Sequence, residues 1–410
     1  MSSKTGGNIK DVLIIGAGFA GIGSAIRLRQ EGVENIAILE RDSEVGGTWR
    51  DNQYPGAACD IPSNLYSYSF VQNPDWPSSY SGSRDILGYI HSMVRDFNLA
   101  PLIQFKSNVT AIEFDAEHGL WNVQIQGAKS QQARAVIMAQ GPLSNASLPN
   151  ITGIDDYRGH KIHSARWDHS YDFRGKRVAV IGTGASGVQI IPELVKQAEF
   201  VKVFQRTPGW VLPRPDLATP EWNKKLFAKI PATQSAVRQA LYWTHESMAT
   251  ALIWNTPLTR VAETVAKAHL KTQVKDAWLR RQLTPDYRIG CKRVLMSSDY
   301  YPALQKDNCQ LITWPIDRLS EKGIRTAEGL EHQADCIVFA TGFDVCKQGT
   351  PFDVIGLNGC NLNHEWAGGA QALKALACLA TRTCLLPLGP TPAPAITRRW
   401  STWKRRSITS

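Results

Sequence analysis

Apolar runs and glycine-rich turns alternate along the chain in an order that repeats. Residues 12–15 form a short apolar run, a glycine-rich turn follows, and apolar positions then recur at helical spacing from residue 20 to residue 29. The same order returns from residue 178. Residues 106–138 hold shorter segments in which apolar and polar positions alternate, which is typical of strands. The pattern predicts an α/β fold built around two strand–turn–helix units.

The first glycine-rich turn has the spacing of a dinucleotide-binding fingerprint. Its glycines allow a tight turn, close approach of a pyrophosphate and close packing of helix on strand, and the helix N-terminus offers N–H groups to the phosphates. The next strand ends in Glu40, nineteen residues after the third glycine. A carboxylate there accepts ribose hydroxyls and repels a 2′-phosphate, so this Rossmann-like unit is predicted to bind FAD or NAD rather than NADP. The turn residues are Gly16, Gly18, Phe19, Ala20 and Gly21.

The second glycine-rich turn differs from the first at the end of the strand that follows it. No acid stands there, and Arg206 and Thr207 take its place. A cation and a hydroxyl suit the 2′-phosphate of NADPH. The alternative for Arg206 is a solvated charge at a strand end. The residues of this turn are Gly182, Thr183, Gly184, Ser186 and Gly187.

Residues 221–283 change to the pattern of long helices. They predict a helical insertion within the second unit. We expect its apolar residues to pack as helix faces. The alternative, peripheral contact with a membrane, would depend on Leu241, Trp243, Leu252, Ile253 and Trp254.

Composition narrows the function classes. The 410 residues are 43% hydrophobic and 20% charged, and no run of 18 apolar residues exists, so we expect a cytoplasmic protein without a spanning helix. The eight cysteines show no C-x-x-C spacing, which argues against a zinc site or a redox dithiol. Six of the ten net positive charges come from residues 379–410, which contain no acid. The remaining charge of about +4 does not favour a nucleic-acid partner, because surfaces that bind the phosphates of dinucleotides account for it.

Two further motifs resemble one enzyme family. Residues 157–168 match the signature of Baeyer–Villiger flavin monooxygenases, with Tyr157 where Phe is usual, and residues 46–60 resemble the family's G-G-T-W and Y-P-G-A-x-C-D segments. The signature residues are Tyr157, Gly159, His163, Trp167 and Asp168. By resemblance, the FAD site also includes Gly47, Thr48, Trp49, Asp60 and Tyr66.

The resemblance implies an FAD- and NADPH-dependent reaction with O2. A peroxyflavin would attack a ketone and give an ester or lactone. Arg293 would be the active-site cation, held by Asp60, and Lys292 would lie near NADP. His163 would couple the position of NADP to domain closure; the alternative is a histidine with a purely structural role. Other possible activities are oxygenation of an amine or sulfide, which would not need Arg293, and an inactive nucleotide-binding product.

The same resemblance divides the chain into segments. The first part of the FAD domain is residues 1–150, and residues 151–174 are the signature linker. The NADP domain is residues 175–220 and 284–340, interrupted by the insertion at 221–283. Residues 341–378 return to the FAD domain.

The likeness to the family ends near Cys378. Residues 379–410 resemble no family segment, and we expect them to be disordered. A frameshift after Cys378 is our hypothesis for this tail, which the nucleotide sequence would test. We expect the loss of the family's C-terminal strand to leave an unpaired sheet edge, and to weaken FAD retention and solubility.

Overall fold

The computed structural model describes residues 9–141, 143, 146–254, 256–343, 350–368 and 384–385. In chain order the strands are β1 (Lys10–Ile15), β2 (Ile36–Leu39), β3 (Ile103–Gln104), β4 (Val109–Asp115), β5 (Leu120–Ile125), β6 (Gln131–Met138), β7 (His160–His163), β8 (Arg177–Ile181), β9 (Phe200–Phe204), β10 (Val211–Leu212), β11 (Leu295–Met296), β12 (Cys309–Ile312), β13 (Ile316–Ser320), β14 (Gly323–Thr326), β15 (Glu331–Gln333), β16 (Cys336–Phe339), β17 (Asp353–Ile355) and β18 (Cys384–Leu385).

The helices of the described residues alternate with these strands in each half of the chain. They are α1 (Phe19–Gln30), α2 (Thr48–Asp51), α3 (Ser83–Asp96), α4 (Ala185–Val195), α5 (Glu221–Lys229), α6 (Pro231–Ile253), α7 (Pro257–Gln273), α8 (Ala277–Gln282), α9 (Tyr300–Ala303) and α10 (Leu362–Glu365). Short 3-10 turns cover Ala100–Leu102, Leu357–Gly359 and Trp366–Gly368.

Two sheets carry the fold. The first has the strand order β17-β4-β5-β6-β1-β2-β3, with β18 added against β6, and β1 runs parallel to both β2 and β6. The second has the order β12-β9-β8-β16-β7 and is parallel throughout. Each central strand leads through a glycine turn into a helix, α1 or α4. The predicted α/β class with two Rossmann-like units and a helical insertion is confirmed.

Burial follows the period of the strands. On β1, Ile14 packs into the cluster beneath α1, whereas Leu13 packs on the opposite face with Trp121 of β5. All three side chains are fully buried. Such two-sided burial is expected of a parallel sheet covered on both faces, and it explains why the strand sequence is a continuous apolar run.

The helical insertion consists of α5 to α8, and its apolar residues are not all packed. Trp243 is 64% exposed and Trp254 is 76% exposed. The expectation that these two side chains lie in packed helix faces is therefore wrong. None of the helices in the described ranges has the length and hydropathy needed to cross a bilayer.

The signature segment differs from the expected connector. Residues His160–His163 form β7, the edge strand of the second sheet, in parallel register with Cys336–Phe339. The Tyr157 hydroxyl, buried, donates to the carbonyl of Ala334 at 2.9 Å. The segment thus belongs to the second sheet. Local sequence patterns could not reveal this, because the partners lie about 175 positions later in the chain.

The chain after Cys378 is outside the described residues apart from β18. Cys384 and Leu385 pair in parallel with Val136 and Ile137 of β6. The expectation of an unpaired sheet edge is therefore wrong at these two positions. The frameshift hypothesis and the expected disorder of residues 379–410 otherwise fall on residues that the structure does not describe.

We expect Gly159→Ala to destabilise the fold by about 1–3 kcal/mol, because overpacking at a closed position has that cost. A Cβ at Gly159 would lie 2.8 Å from the carbonyl oxygen of Asp335 and would meet the Tyr157 hydroxyl. Urea unfolding measures the loss. Gly88→Ala, a helical position with nothing within 4 Å, is the control and should be neutral or slightly stabilising. Equal stability of the two variants would contradict the expectation.

Candidate functional site

One cleft of about 1860 Å³ lies between the two sheets and is lined by both glycine turns. Gly16 and Gly18 come from the first turn, and Gly182 and Gly184 come from the second. The insertion contributes part of the wall through α6. The two dinucleotide-type turns therefore face a shared space, as a two-cofactor enzyme requires.

The first glycine turn is closed to side chains. Gly16 has φ +103°, and a Cβ there would lie 2.6 Å from the carbonyl oxygen of Ala139. A Cβ at Gly21 would collide with the carbonyl oxygen of Gly16. A Cβ at Gly18 would lie 3.7 Å from the Cα of Gly47, so the second glycine pair packs directly beside the turn. This bare backbone cradle fits a pyrophosphate.

The predicted ribose acid, Glu40, is 4% exposed and already accepts three hydrogen bonds. Its Oε2 accepts from the Ala17 amide at 2.7 Å, while Oε1 accepts from the Asp42 amide and Arg50 Nη1, both at 3.1 Å. A carboxylate has about four acceptor positions, so one remains on Oε2 for a ribose hydroxyl. Arg50 was not among the predicted residues.

Arg50 ties the carboxylate into a charged cluster at the mouth of this half-site. It also pairs with Asp42 at 2.6 Å and with Asp51 at 2.8 Å, and Arg41 bridges the same two acids. The cluster contains three carboxylates, those of Glu40, Asp42 and Asp51, and two guanidinium groups, so its net charge is negative. The electrostatic argument against a 2′-phosphate here therefore holds with Arg50 included.

Aromatic side chains predicted for the FAD site form one cluster. The Trp49 indole donates to the Tyr66 hydroxyl at 3.0 Å, and Tyr66 packs edge-on against Phe19 at 5.1 Å. Burial raises the pKa of the Tyr66 hydroxyl well above its usual range. Thr48 and Ala20 line the cleft beside them.

The second turn repeats the first in detail. Gly182 has φ +108°, and a Cβ there would lie 2.5 Å from the carbonyl oxygen of Ala340; a Cβ at Gly187 would collide with the carbonyl oxygen of Gly182. Thr183 is buried, and its hydroxyl lies 3.5 Å from the side-chain oxygen of Gln205. Ser186 lines the cleft in the first turn of α4.

The basic residues predicted for NADPH gather at the far side of this turn. Arg206 and Thr207 follow β9 and line the cleft, and Arg206 is exposed. Lys292 also lines the cleft, with its ammonium 4.6 Å above the ring of Tyr287. Since the Tyr287 hydroxyl donates to the Pro208 carbonyl at 3.0 Å, Lys292 is held near the exit of β9.

Asp60 and Arg293 form an ion pair across the cleft. Arg293 Nη2 lies 2.5 Å from Asp60 Oδ2, and Nε donates to the same oxygen at 3.1 Å. Asp60 is 23% exposed and Arg293 is 62% exposed, so the guanidinium faces open space while the carboxylate is more enclosed. The pair joins residues 233 positions apart, one from each half of the chain.

Two titratable neighbours of Asp60, the Cys59 thiol and the Tyr54 hydroxyl, are protonated at neutral pH. Burial raises the pKa of the neighbouring Cys59 thiol to about 12, and burial also raises the pKa of the Tyr54 hydroxyl. Both groups are therefore neutral. Within the described residues, no group of three or more His, Cys, Asp or Glu side chains could hold a metal.

The signature residues do not line the cleft. Trp167 stacks on Phe173 at 5.6 Å in the core that packs on the second sheet, and Asp168 pairs with His160 at 3.0 Å. Hydrogen bonds from Ser170 hold the pKa of the Asp168 carboxyl below its usual range. These contacts indicate a role in shaping the segment rather than in touching a ligand.

His163 lies where two chain crossings between the sheets run side by side. It is 8% exposed, and its Nδ1 accepts from the Ala165 amide at 3.1 Å. The ring also faces the backbone carbonyls of Ser147 and Gly342, and the Ser147 amide donates to the Gly342 carbonyl at 3.0 Å. Burial lowers the pKa of His163 below its ordinary value of 6.5.

Comparison with known proteins decides the family. Residues 9–242 match the family model described as FMO-like, flavin-binding monooxygenase-like. A protein of Streptomyces coelicolor named Baeyer-Villiger monooxygenase is 42% identical over 380 residues, which is 92% of this chain and 73% of that protein. The chain belongs to the flavin-binding monooxygenase-like family.

Solved structures agree with this flavin-binding monooxygenase assignment. An oxidized steroid monooxygenase bound to NADP is 31% identical with a TM-score of 0.82, covering 92% of this chain and 80% of that one. A structure of OTEMO in complex with FAD and NADP is 28% identical with a TM-score of 0.82, covering 93% of this chain and 79% of that one.

Two polar residues of this flavin-binding monooxygenase were missed by sequence reasoning for different reasons. Arg50 lies three positions after the second glycine pair, and the acids Glu40, Asp42 and Asp51 near it in sequence were an available signal. Gln205 lies at a strand end and donates to the Gln282 carbonyl at 3.1 Å. That partner is 77 positions away, and no local pattern indicates it.

We expect His163 to make the fold less stable as the pH falls. Because its folded pKa lies below 6.5, the unfolded chain binds a proton first, so its contribution is complete above pH 6.5 and is lost on acidification toward the folded pKa. Thermal unfolding between about pH 5 and pH 8 measures the slope, a window set by the histidine pKa range. His163→Asn should flatten it.

The matched control is His118, whose pKa is raised by its hydrogen bond to Asp115. Its contribution has the opposite sign, so His118→Gln should make the slope slightly steeper. A His163→Asn variant with the same acid limb as the unsubstituted protein would contradict the assignment of His163 as a buried neutral group.

Proposed function

We propose that this chain is an FAD- and NADPH-dependent monooxygenase that inserts one oxygen atom from O2 next to a ketone carbonyl to give an ester or lactone. The observation that carries the proposal is the Asp60–Arg293 pair inside the cleft that both glycine turns line. The 42% identical relative from Streptomyces coelicolor and the solved structures with FAD and NADP support it.

The first half-site suits FAD. Its pyrophosphate would lie along the bare backbone of the first turn and Gly47, and the remaining acceptor of Glu40 would take a ribose hydroxyl. Thr48, Trp49 and Tyr66 would flank the rest of the cofactor. When bound, the flavin supplies the hydride-accepting and oxygen-activating chemistry, and the protein supplies position and electrostatics.

The second half-site suits NADPH. Gly182, Gly184 and the start of α4 would hold the pyrophosphate, and Arg206 with Thr207 would hold the 2′-phosphate. Lys292 projects to the same side and adds positive charge. We place the NADP domain at residues 175–220 and 284–340, with β7 added to its sheet.

Arg293 is the residue we assign to the reacting carbonyl. Negative charge that develops on the substrate oxygen needs a fixed cation nearby, and such stabilisation changes rates by about 10²–10³-fold. The hydrogen bonds to Asp60 use Nε and Nη2, so Nη1 of the guanidinium remains available to a ligand. Asp60 orients the group.

His163 would act as a positioning residue. The two chain crossings that it faces, at Ser147 and Gly342, are the connections that any closure of one unit on the other must bend. A buried neutral ring beside those crossings suits a positioning role better than transfer of a proton to a ligand.

We expect Arg293→Ala to reduce ester formation by about 10²–10³-fold, the size expected when a charge-stabilising group is removed. Gas chromatography of ester from a simple cyclic ketone, with NADPH supplied, measures the loss. Sulfide oxidation by the same variant should be retained, because oxygen transfer to a heteroatom needs no cation at a carbonyl oxygen.

Arg288→Ala is the matched control. Arg288 is exposed, lies five positions earlier and does not line the cleft. Its substitution should leave both reactions unchanged. An unsubstituted protein that oxidises sulfide but never ketone would overturn the ketone assignment in favour of heteroatom oxygenation.

We expect Arg206→Ala to raise the KM for NADPH by about 10–100-fold, since a hydrogen bond to a charged group contributes about 1.5–3 kcal/mol. NADH lacks the 2′-phosphate and serves as the internal control, so its KM should not change. Stopped-flow measurement of flavin reduction with each coenzyme separates the two. An equal loss with both would mean that Arg206 supports the fold rather than the phosphate.

A further inference from the structure

Gln189 joins the two halves of the cleft through contacts with Tyr54 and Ala58, which lie close in sequence to Asp60 of the ion pair. It lies on α4, the helix that starts at the second glycine turn, and it is half-buried. Its side-chain oxygen accepts from the Tyr54 hydroxyl at 2.9 Å and from the Ala58 amide at 3.4 Å. Its amide nitrogen donates to the Ala58 carbonyl at 3.0 Å. The Gln189 amide thus binds both backbone groups of Ala58, as a neighbouring strand would. We call this contact the clasp.

The fit between this helix and residues 54–58 is close. Gly56 has φ +77°, and a Cβ there would lie 2.7 Å from the carbonyl oxygen of Gln189. The Tyr54 hydroxyl also contacts Ser186, one turn earlier on the same helix. Residues 54–58 therefore cannot move relative to α4 without breaking several contacts at once.

Residues 54–58, which the clasp holds against α4, lie immediately before the ion-pair residue Asp60. Ala58 is followed by Cys59, whose amide donates to the Ser81 carbonyl at 3.1 Å, and then by Asp60. Cys59 is 3% exposed, so the single residue between Ala58 and Asp60 is held in place. A shift of α4 would thus be passed along a short rigid stretch to Asp60 and, through it, to Arg293.

We propose that Gln189 is a positioning residue that couples occupancy of the second glycine turn to the geometry of the Asp60–Arg293 pair, an inference that rests on the proposed function. Binding of a pyridine nucleotide at the N-terminus of α4 fixes that helix, and the Gln189 amide transmits the restraint to residues 54–60. The coupling needs both its donor and its acceptor.

Hydrogen exchange with NADP⁺ tests this on the full-length, FAD-loaded protein. Addition of NADP⁺ should slow amide exchange in peptides that cover residues 54–60, because local opening there becomes rarer when α4 is fixed. In Gln189→Leu this protection should fall by on the order of tenfold, the worth of about two net hydrogen bonds. Calorimetric affinity for NADP⁺ should change less than the protection does.

Two variants isolate the cause. Gln189→Glu keeps the side-chain volume but loses the donor to Ala58, so it should lose the protection as well. Gln197→Leu makes the same change as Gln189→Leu at an exposed position just beyond α4, and it should behave as the unsubstituted protein. Turnover gives an independent readout: in Gln189→Leu, ester formed per NADPH consumed should fall while the KM for NADPH stays constant.

The outcomes separate the two proposals. Unsubstituted protein that does not bind NADP⁺ by calorimetry overturns the proposed function and this coupling together. Protein that binds NADP⁺ but shows equal protection of residues 54–60 in Gln189→Leu, or none in either form, overturns the coupling alone. Equal loss in Gln197→Leu would do the same, because the effect would then not depend on the clasp.

Discussion

The Asp60–Arg293 ion pair is the contact on which the arrangement of the cleft depends. A guanidinium facing a space built for anionic cofactors needs a fixed carboxylate to orient it, and an enclosed carboxylate needs a cation. Each partner comes from a different half of the chain. The pair therefore exists only when the two sheets stand at one separation, and that separation also places both glycine turns on one cavity.

The two ends of the cleft carry opposite charges. Around Glu40, acids outnumber bases even after Arg50 is counted, whereas the exit of β9 presents Arg206 and Lys292 with no ion pair among the described residues. Backbone geometry at the two glycine turns is nearly the same. We therefore expect selection between the cofactors to depend on strand-end side chains, and the turns to supply general affinity for pyrophosphate.

Sequence alone predicted what depends on local geometry. Both turns, Glu40 and Arg206 follow from spacing along single strand–turn–helix units, and the family resemblance supplied the Asp60–Arg293 pair. The sequence did not predict contacts between residues that are far apart along the chain. The pairing of β7 with β16 and the clasp of Gln189 on Ala58 join residues more than 130 positions apart, and glutamine in a helix has no pattern that marks such a partner. Assignment of cofactor-contacting residues stays a prediction.

The wall that α6 contributes to the cleft depends on a buried cation that does not itself line the cleft. Arg238 of α6 is 7% exposed and, with no acid paired to it in the described residues, donates to the carbonyls of Asn64 and Leu65 and to the hydroxyl of Ser67. Tyr242 and His245, one and two turns further along α6, line the cleft. Because a buried guanidinium left without these carbonyls would be costly, α6 is held to the segment that carries Tyr66. The shape of this part of the cleft is thus set by the contacts between the insertion and the first half of the chain.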